Sequence, residues 1–322
     1  MDALPVRRNT ALLAATVAMN SATLQMVAAV SALTFVLVTG ATRLLGLGPA
    51  VSLISAACTS FQAGRLMDRV GRVPVLMGGF AIGAIGAVLT GFAAYTRSGW
   101  LVIPGFVLIG SAGGIGQLIR AAAGDMYPPE HRARGIAYVM FGAVFGAILG
   151  PAVFAPLFRG RELSPHTLAA PWFGGAVLFL IALTIVANVR PDPKRIAEMI
   201  DADRQRVGET QKTAASLSEL LRRRGVVPAM LAGVFSFAIM SSVMNLAGYV
   251  VVEHRHHAQH LVFPIIGAHV VGMYLLMPVV GWIVDRVGHT RTLGAGLVVI
   301  ALSTAGLTYF TSIVPIALML FG

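Results

Sequence analysis

Nine stretches of about 20 apolar residues recur along this chain, and that length is what an α-helix needs to cross a bilayer. They fall at about 10–35, 44–63, 73–95, 100–121, 135–157, 170–189, 227–250, 262–284 and 291–310, and a tenth begins near Ser312 before the last residue, Gly322. Composition decides where so much apolar surface belongs. The chain has 322 residues, 57% hydrophobic and only 11% charged, against about 25% charged in an ordinary soluble domain. Too little charge is present to cover such a core in water. The expected fold is therefore all-α, a polytopic transmembrane bundle of about nine full spans and part of a tenth.

The formal net charge is +11. In a soluble protein that excess would suggest nucleic acid, but no basic face here is interleaved with aromatics. The charge instead sorts by side. With the N-terminus inside, 19 of the 24 Arg and Lys residues fall in inner segments and five in outer ones. Lys and Arg concentrate on the cytoplasmic side of membrane proteins, so the N-terminus is expected in the cytoplasm. Arg7-Arg8 precedes an apolar stretch too long for a secretory signal core, which makes it an uncleaved first span. Cys58 excludes an intramolecular disulfide by being single, and reads as a small packing residue.

A polar stretch from Arg190 to Arg224 divides the chain into three parts: a six-span half over 1–189, a cytoplasmic linker over 190–225 and a second half over 226–322. Within the linker, 194–206 has the pattern of a short amphipathic helix for the membrane surface. The halves repeat. Gly64-Arg65-Leu66-Met67-Asp68-Arg69-Val70-Gly71-Arg72 follows span 2, and Gly281-Trp282-Ile283-Val284-Asp285-Arg286-Val287-Gly288-His289 follows span 8. Gly, Asp, Arg, Val and Gly recur at matching offsets, on inner loops, two spans into each half. Internal duplication of this kind marks secondary transporters.

These paired motifs resemble the signature of the major facilitator superfamily, whose G-x-x-x-D-R-x-G-R loop lies between helices 2 and 3 with a weaker copy between 8 and 9. Arg120 stands near the inner end of span 4, where many members carry an arginine. The loop from Asp125 to Gly135 resembles the one before helix 5. Gly142, Gly146 and Gly150-Pro151 resemble the G-x-x-x-G-P motif of antiporters. The resemblance implies twelve helices, so most of helix 10 and all of 11 and 12 are expected to be missing, as in a C-terminal truncation.

The resemblance also implies roles. Gly64, Asp68, Arg69, Gly71, Arg72, Gly281, Asp285, Arg286 and Gly288 would form the inner gate. Asp285 would face Arg134 at the start of helix 5, and Asp68 the start of helix 11. Gly146, Gly150 and Pro151 would let helix 5 approach and flex. Polar residues within membrane helices are costly and often functional. Asn20, Gln25, Gln117, Arg120, Asn245, His269 and Tyr274 are accordingly the substrate-binding residues expected on the central spans and their flanks. No carboxylate lies mid-span, so His269 is the group expected to titrate if protons are the coupling ion.

No phosphate loop, dinucleotide motif, zinc-protease motif or nucleophile elbow occurs, so neither an enzyme nor a cofactor is expected. The histidine-rich segment 253–260 fits no defined metal spacing. The partners expected are a small-molecule substrate, the lipid bilayer and protons, with no nucleic acid. The reading is a secondary active transporter of the bacterial inner membrane, with proton-coupled export favoured by the antiporter-like motif. The alternative is a non-transporting membrane protein: a sensor, or a defective truncated remnant of a transporter.

Overall fold

In a computed structural model the chain is a bundle of α-helices. The structure describes residues 5–206, 217–223, 225–254, 259–275, 283 and 287–306. Six helical stretches are long and apolar enough to cross a membrane: Val6–Thr39, Thr42–Val70, Arg72–Thr96, Gly99–Asp125, Gly135–Phe158 and Pro165–Ala187. Three shorter apolar helices follow, Val226–Ser242, Val262–Leu275 and Thr290–Gly306. The all-α expectation holds; among the described residues no strand occurs.

Helix α1 (Val6–Thr39) is the axis. Its 34 residues end at Gly40, whose φ of 71° is a left-handed cap of the kind glycine supplies without strain. Most of its face is buried from Leu13 to Val36, because α2 (Leu47–Val70), α4 (Gly99–Gln117), α7 (Gly142–Phe154), α8 (Pro165–Ala187), α11 (Val226–Tyr249) and α12 (Val262–Leu275) all pack on it. Helix α3 (Arg72–Thr96) lies outside, against α4 and α8. Ser164 starts α8 with a capping box, its Oγ accepting from Thr167 N at 3.2 Å, with Pro165 next. Trp172 of α8 is fully buried and donates its indole N–H to Thr34 at 2.9 Å. Trp100, at the start of α4, is 90% exposed.

Two spans are broken where the sequence suggests single helices. The fourth is α4 followed by α5 (Ile119–Asp125), with the break at Leu118. The fifth is α6 (Arg132–Met140), α7 and a 3-10 turn over Ala155–Phe158, with its break at Phe141. The second span is longer than expected. Helix α2 runs to Val70, so Gly64 to Val70 are helical and not a loop; only Gly71 separates α2 from α3. Cys58 is exposed on α2 rather than packed.

The amphipathic segment forms as α9 (Pro193–Arg206). It packs on α5 and α3 and buries Ile196 completely, so its apolar side faces protein. A short helix α10 (Leu217–Arg222) precedes α11, and α13 (His289–Gly306) follows Gly288. Gly288 has φ of 92° and Gly71 has φ of 108°. The duplicated motif thus carries the same backbone device in both copies: a glycine at positive φ, then a helix.

Candidate functional site

Among the described residues the two halves pack closely at one end. At the end farthest from Arg8 and Arg72, Phe263 of α12 stacks on Phe154 and Phe158 of the first half, with ring centroids 5.9 and 5.7 Å away. Val262 and Phe263 are fully buried there. One level deeper Gly267 of α12 crosses α7 so closely that an added Cβ would lie 2.8 Å from Ala147 O and 2.9 Å from Pro151 Cγ. At the basic end no ring stacking of this kind joins the halves among the described residues. Met230, Leu231, Val234 and Phe235 of α11 are 51–61% exposed, and so is Leu275, near the end of the described part of α12, at 51%.

Within the first half Asn20 of α1 packs against Gly116 of α4, where an added Cβ would lie 2.8 Å from its Oδ1. Gln117 and Tyr274 are half-buried and Arg120 is exposed, one turn closer to the basic end than Gln117. His269 is half-buried on α12. The side chain of Asn245 lies outside the described residues.

Gln25 differs from its expected place. It is fully buried, and its Nε2 donates to Ser21 O at 3.2 Å and to Gly146 O at 3.0 Å. Both neighbours are acceptors, which fixes the amide orientation. Gln25 therefore braces α1 to α7 and does not line open space. Ser21, whose Oγ donates to Ala143 O at 3.3 Å, repeats the brace one turn earlier. The glycine ladder sits on the same seam. A Cβ at Gly142 would meet Ala14 O, one at Gly146 would meet Ala18 O, and one at Gly150 would lie 3.3 Å from the Gln25 amide. Small residues at this spacing let two backbones touch.

The basic end carries a charged cluster on the first half. Arg72 donates from Nη1 to Asp68 at 2.7 Å and from Nε to Asp125 at 2.7 Å. The Asp68 side chain is 70% exposed and that of Asp125 21%. Asp68 was expected to face across the halves; among the described residues its partner is Arg72 of its own half, one turn away. Asp192 was not expected at all. Its carboxylate accepts from Arg72 N at 3.0 Å and Val73 N at 2.8 Å, the first two residues of α3. The clue was the Arg190-Pro191-Asp192-Pro193 string, since Asp before Pro marks a helix start, but that points to α9 and not to α3. Arg69 offers its backbone O to Lys194 Nζ at 3.2 Å. Gly64 has open space around it. Gly281, Asp285 and Arg286 lie outside the described residues, as does the Arg134 side chain, and so does the expected Asp285–Arg134 contact.

Comparison with known proteins decides what this arrangement is. The model of the Major Facilitator Superfamily matches residues 11–322. The chain belongs to the Major Facilitator Superfamily. Among curated superfamily relatives, the MFS-type transporter YdeG of Bacillus subtilis (strain 168) is 29% identical over 255 residues, covering 78% of this chain and 58% of YdeG. The riboflavin transporter RfnT of Brucella anthropi is 27% identical over 308 residues, covering 94% of this chain and 73% of RfnT. The chain thus spans less than two thirds of the length of YdeG. Among superfamily structures, the partially occluded, inward-open xylose transporter XylE from E. coli superposes with a TM-score of 0.68 at 19% identity, covering 97% of this chain and 80% of XylE. A POT family transporter in complex with 5-aminolevulinic acid superposes with a TM-score of 0.67 at 14% identity, covering 97% of this chain and 80% of that one. The superfamily fold and its bilayer setting follow, and with them the exclusion of an enzyme.

Proposed function

We propose that this chain is a secondary transporter, carrying a small molecule across a bacterial plasma membrane by alternating access. The observation that carries the reading is the one-ended seam. Residues 1–189 and 226–322 act as the two moving bodies, joined by 190–225. Among the described residues they touch through Phe154, Phe158 and Phe263 at one end, while at the other Met230, Leu231, Val234 and Phe235 of α11 are exposed. The basic end faces the cytoplasm, supported by the Arg and Lys bias, so the N-terminus is cytoplasmic and the described state is inward-open.

The substrate pathway runs past Asn20, Gln117, Arg120, Asn245, His269 and Tyr274. Most of these are neutral, which suits a polar uncharged molecule with several hydrogen-bonding groups. RfnT is named as a riboflavin transporter, and riboflavin has that chemistry, so it is the first substrate to test. Coupling falls to protons through His269, the imidazole carried by α12, since a group alternately wetted and occluded can take up and release a proton. The export direction rests on the antiporter-like Gly142/Gly146/Gly150 ladder.

Purified chain in proteoliposomes, given labelled riboflavin with and without an imposed proton gradient, tests this. Gradient-dependent accumulation lost in His269→Gln, with downhill exchange retained, is the expected result. Equal flux with the gradient collapsed would rule out proton coupling, and absence of flux beyond empty liposomes would rule out riboflavin.

A further inference from the structure

We propose that Asp192, in the segment between the halves, is a positioning residue of the inner gate: it fixes the α2–α3 turn so that Arg72 can bridge Asp68 and Asp125. The inference rests on the alternating-access reading and extends it to a residue outside the duplicated motif.

The first amides of a helix have no partner within it. At α3 the preceding residue is Gly71, which has no side chain to cap them. Asp192 supplies the cap from 120 residues away. Its Oδ1 accepts from Arg72 N at 3.0 Å and its Oδ2 from Val73 N at 2.8 Å. The same Oδ1 accepts from Lys194 N at 2.8 Å, while the Asp192 carbonyl accepts from Arg195 N at 2.9 Å and so begins α9. One carboxylate therefore starts two helices, one belonging to the motif and one to the linker. A carboxylate is the favoured group at either helix start, since both present amides and the positive end of a dipole.

Gly71 is shaped to admit it. A Cβ there would lie 2.8 Å from Asp192 Oδ2, and the residue's φ of 108° disfavours any side chain as well. The motif glycine thus serves the approach of the linker carboxylate in addition to the turn. The segment is held on both sides of Asp192. Asn9 Nδ2 donates to Pro191 O at 3.2 Å, Arg8 Nη2 to Asn188 O at 3.0 Å, and Lys194 Nζ to Arg69 O at 3.2 Å.

The mechanical consequence concerns Arg72. Its guanidinium reaches two carboxylates on different helices, which demands a fixed backbone at the root of a long side chain. The amide at that root is the one Asp192 holds. A shift of 192–194 moves the Arg72 backbone directly, so the strand of chain leading to the second half acts on the gate arginine.

Electron–electron distance measurements test this in the full chain, with Cys58→Ala and spin labels at Leu66 on α2 and Met230 on α11. The pair reports the width of the inner mouth without any substrate. The parent is expected to show open and closed populations. Asp192→Ala should lower the closed-to-open ratio roughly tenfold, as expected for losing a charge-assisted hydrogen bond. Asp192→Asn keeps one carbonyl oxygen for Arg72 N and Lys194 N and loses only the acceptor for Val73 N, so it should restore much of the ratio. In an Arg72→Ala background Asp192→Ala should add nothing, because the two act in series. Additive effects of the two substitutions, or an unchanged ratio in Asp192→Ala, would reduce Asp192 to a helix cap. A single unvarying distance in the parent would overturn alternating access itself and this proposal with it; two populations with no response to Asp192 would overturn only the proposal.

Discussion

Arg72 holds Asp68 and Asp125 by bonds of equal length, yet the two carboxylates differ in setting. The Asp68 side chain is 70% exposed and that of Asp125 21%. Exposed ion pairs contribute about 0–1 kcal/mol, while a hydrogen bond to a charged group in a drier site contributes about 1.5–3 kcal/mol. Asp125→Asn should therefore lower the midpoint of thermal unfolding in detergent clearly more than Asp68→Asn; equal shifts would show that the two pairs are solvated alike. The gate residues Asp68, Arg69, Gly71 and Arg72 could be picked from the sequence because the motif occurs twice. Their partners could not. Asp192 lies 120 residues from Arg72 and accepts backbone amides, and a backbone amide leaves no mark in the residue types around it.

Among the helices, the α1–α7 seam sets the strongest constraint. A methyl group at Gly146 would run into Ala18 O, an atom of helical backbone that cannot swing aside. Gly146→Ala should destabilise the protein by about 1–3 kcal/mol, as overpacking does, measured as loss of folded protein on heating in detergent. Gly64→Ala is the contrast. Nothing lies within 4 Å of a Cβ there, and alanine is the better helix former by about 1 kcal/mol. Gly64→Ala should leave stability equal or higher while reducing the closed inner population in the distance assay; if neither quantity changes, Gly64 has no part in the gate. Helix existence and approximate limits could be read from apolar length alone. The breaks at Leu118 and Phe141 could not, since neither site carries a proline. Gln25 was misplaced for a related reason: a polar residue on a central helix can face a cavity or a neighbouring carbonyl, and the glycines of α7 bring the carbonyls close enough to win.

For the molecule as a whole, orientation in the bilayer is the property most open to test. In a Cys58→Ala background, cysteine at Glu198 on α9 should resist impermeant thiol reagents added to intact cells, and cysteine at Arg161, between α7 and α8, should react; the reverse pattern would invert the topology. The one-ended seam makes a parallel prediction for Phe263. Phe263→Ala removes the ring held between Phe154 and Phe158, and should raise outside access to a cysteine placed at Gly150 beyond that of the same cysteine with Phe263 intact. The superfamily fold itself was legible, because apolar length, basic-residue bias and the duplicated motif are independent signals that agree. Which end of the bundle is closed was not legible, because both states are built from one sequence. The tryptophans add a way to watch the molecule by its own light. Trp172 is sealed between α8 and α1 with its indole N–H on Thr34, whereas Trp100 is 90% exposed at the rim of the bundle. With Trp282→Phe, the emission should divide into a fraction that brominated lipids or aqueous quenchers extinguish and a fraction they do not reach. The protected fraction would then report, without any label, whether α1 and α8 stay together as the outer end opens.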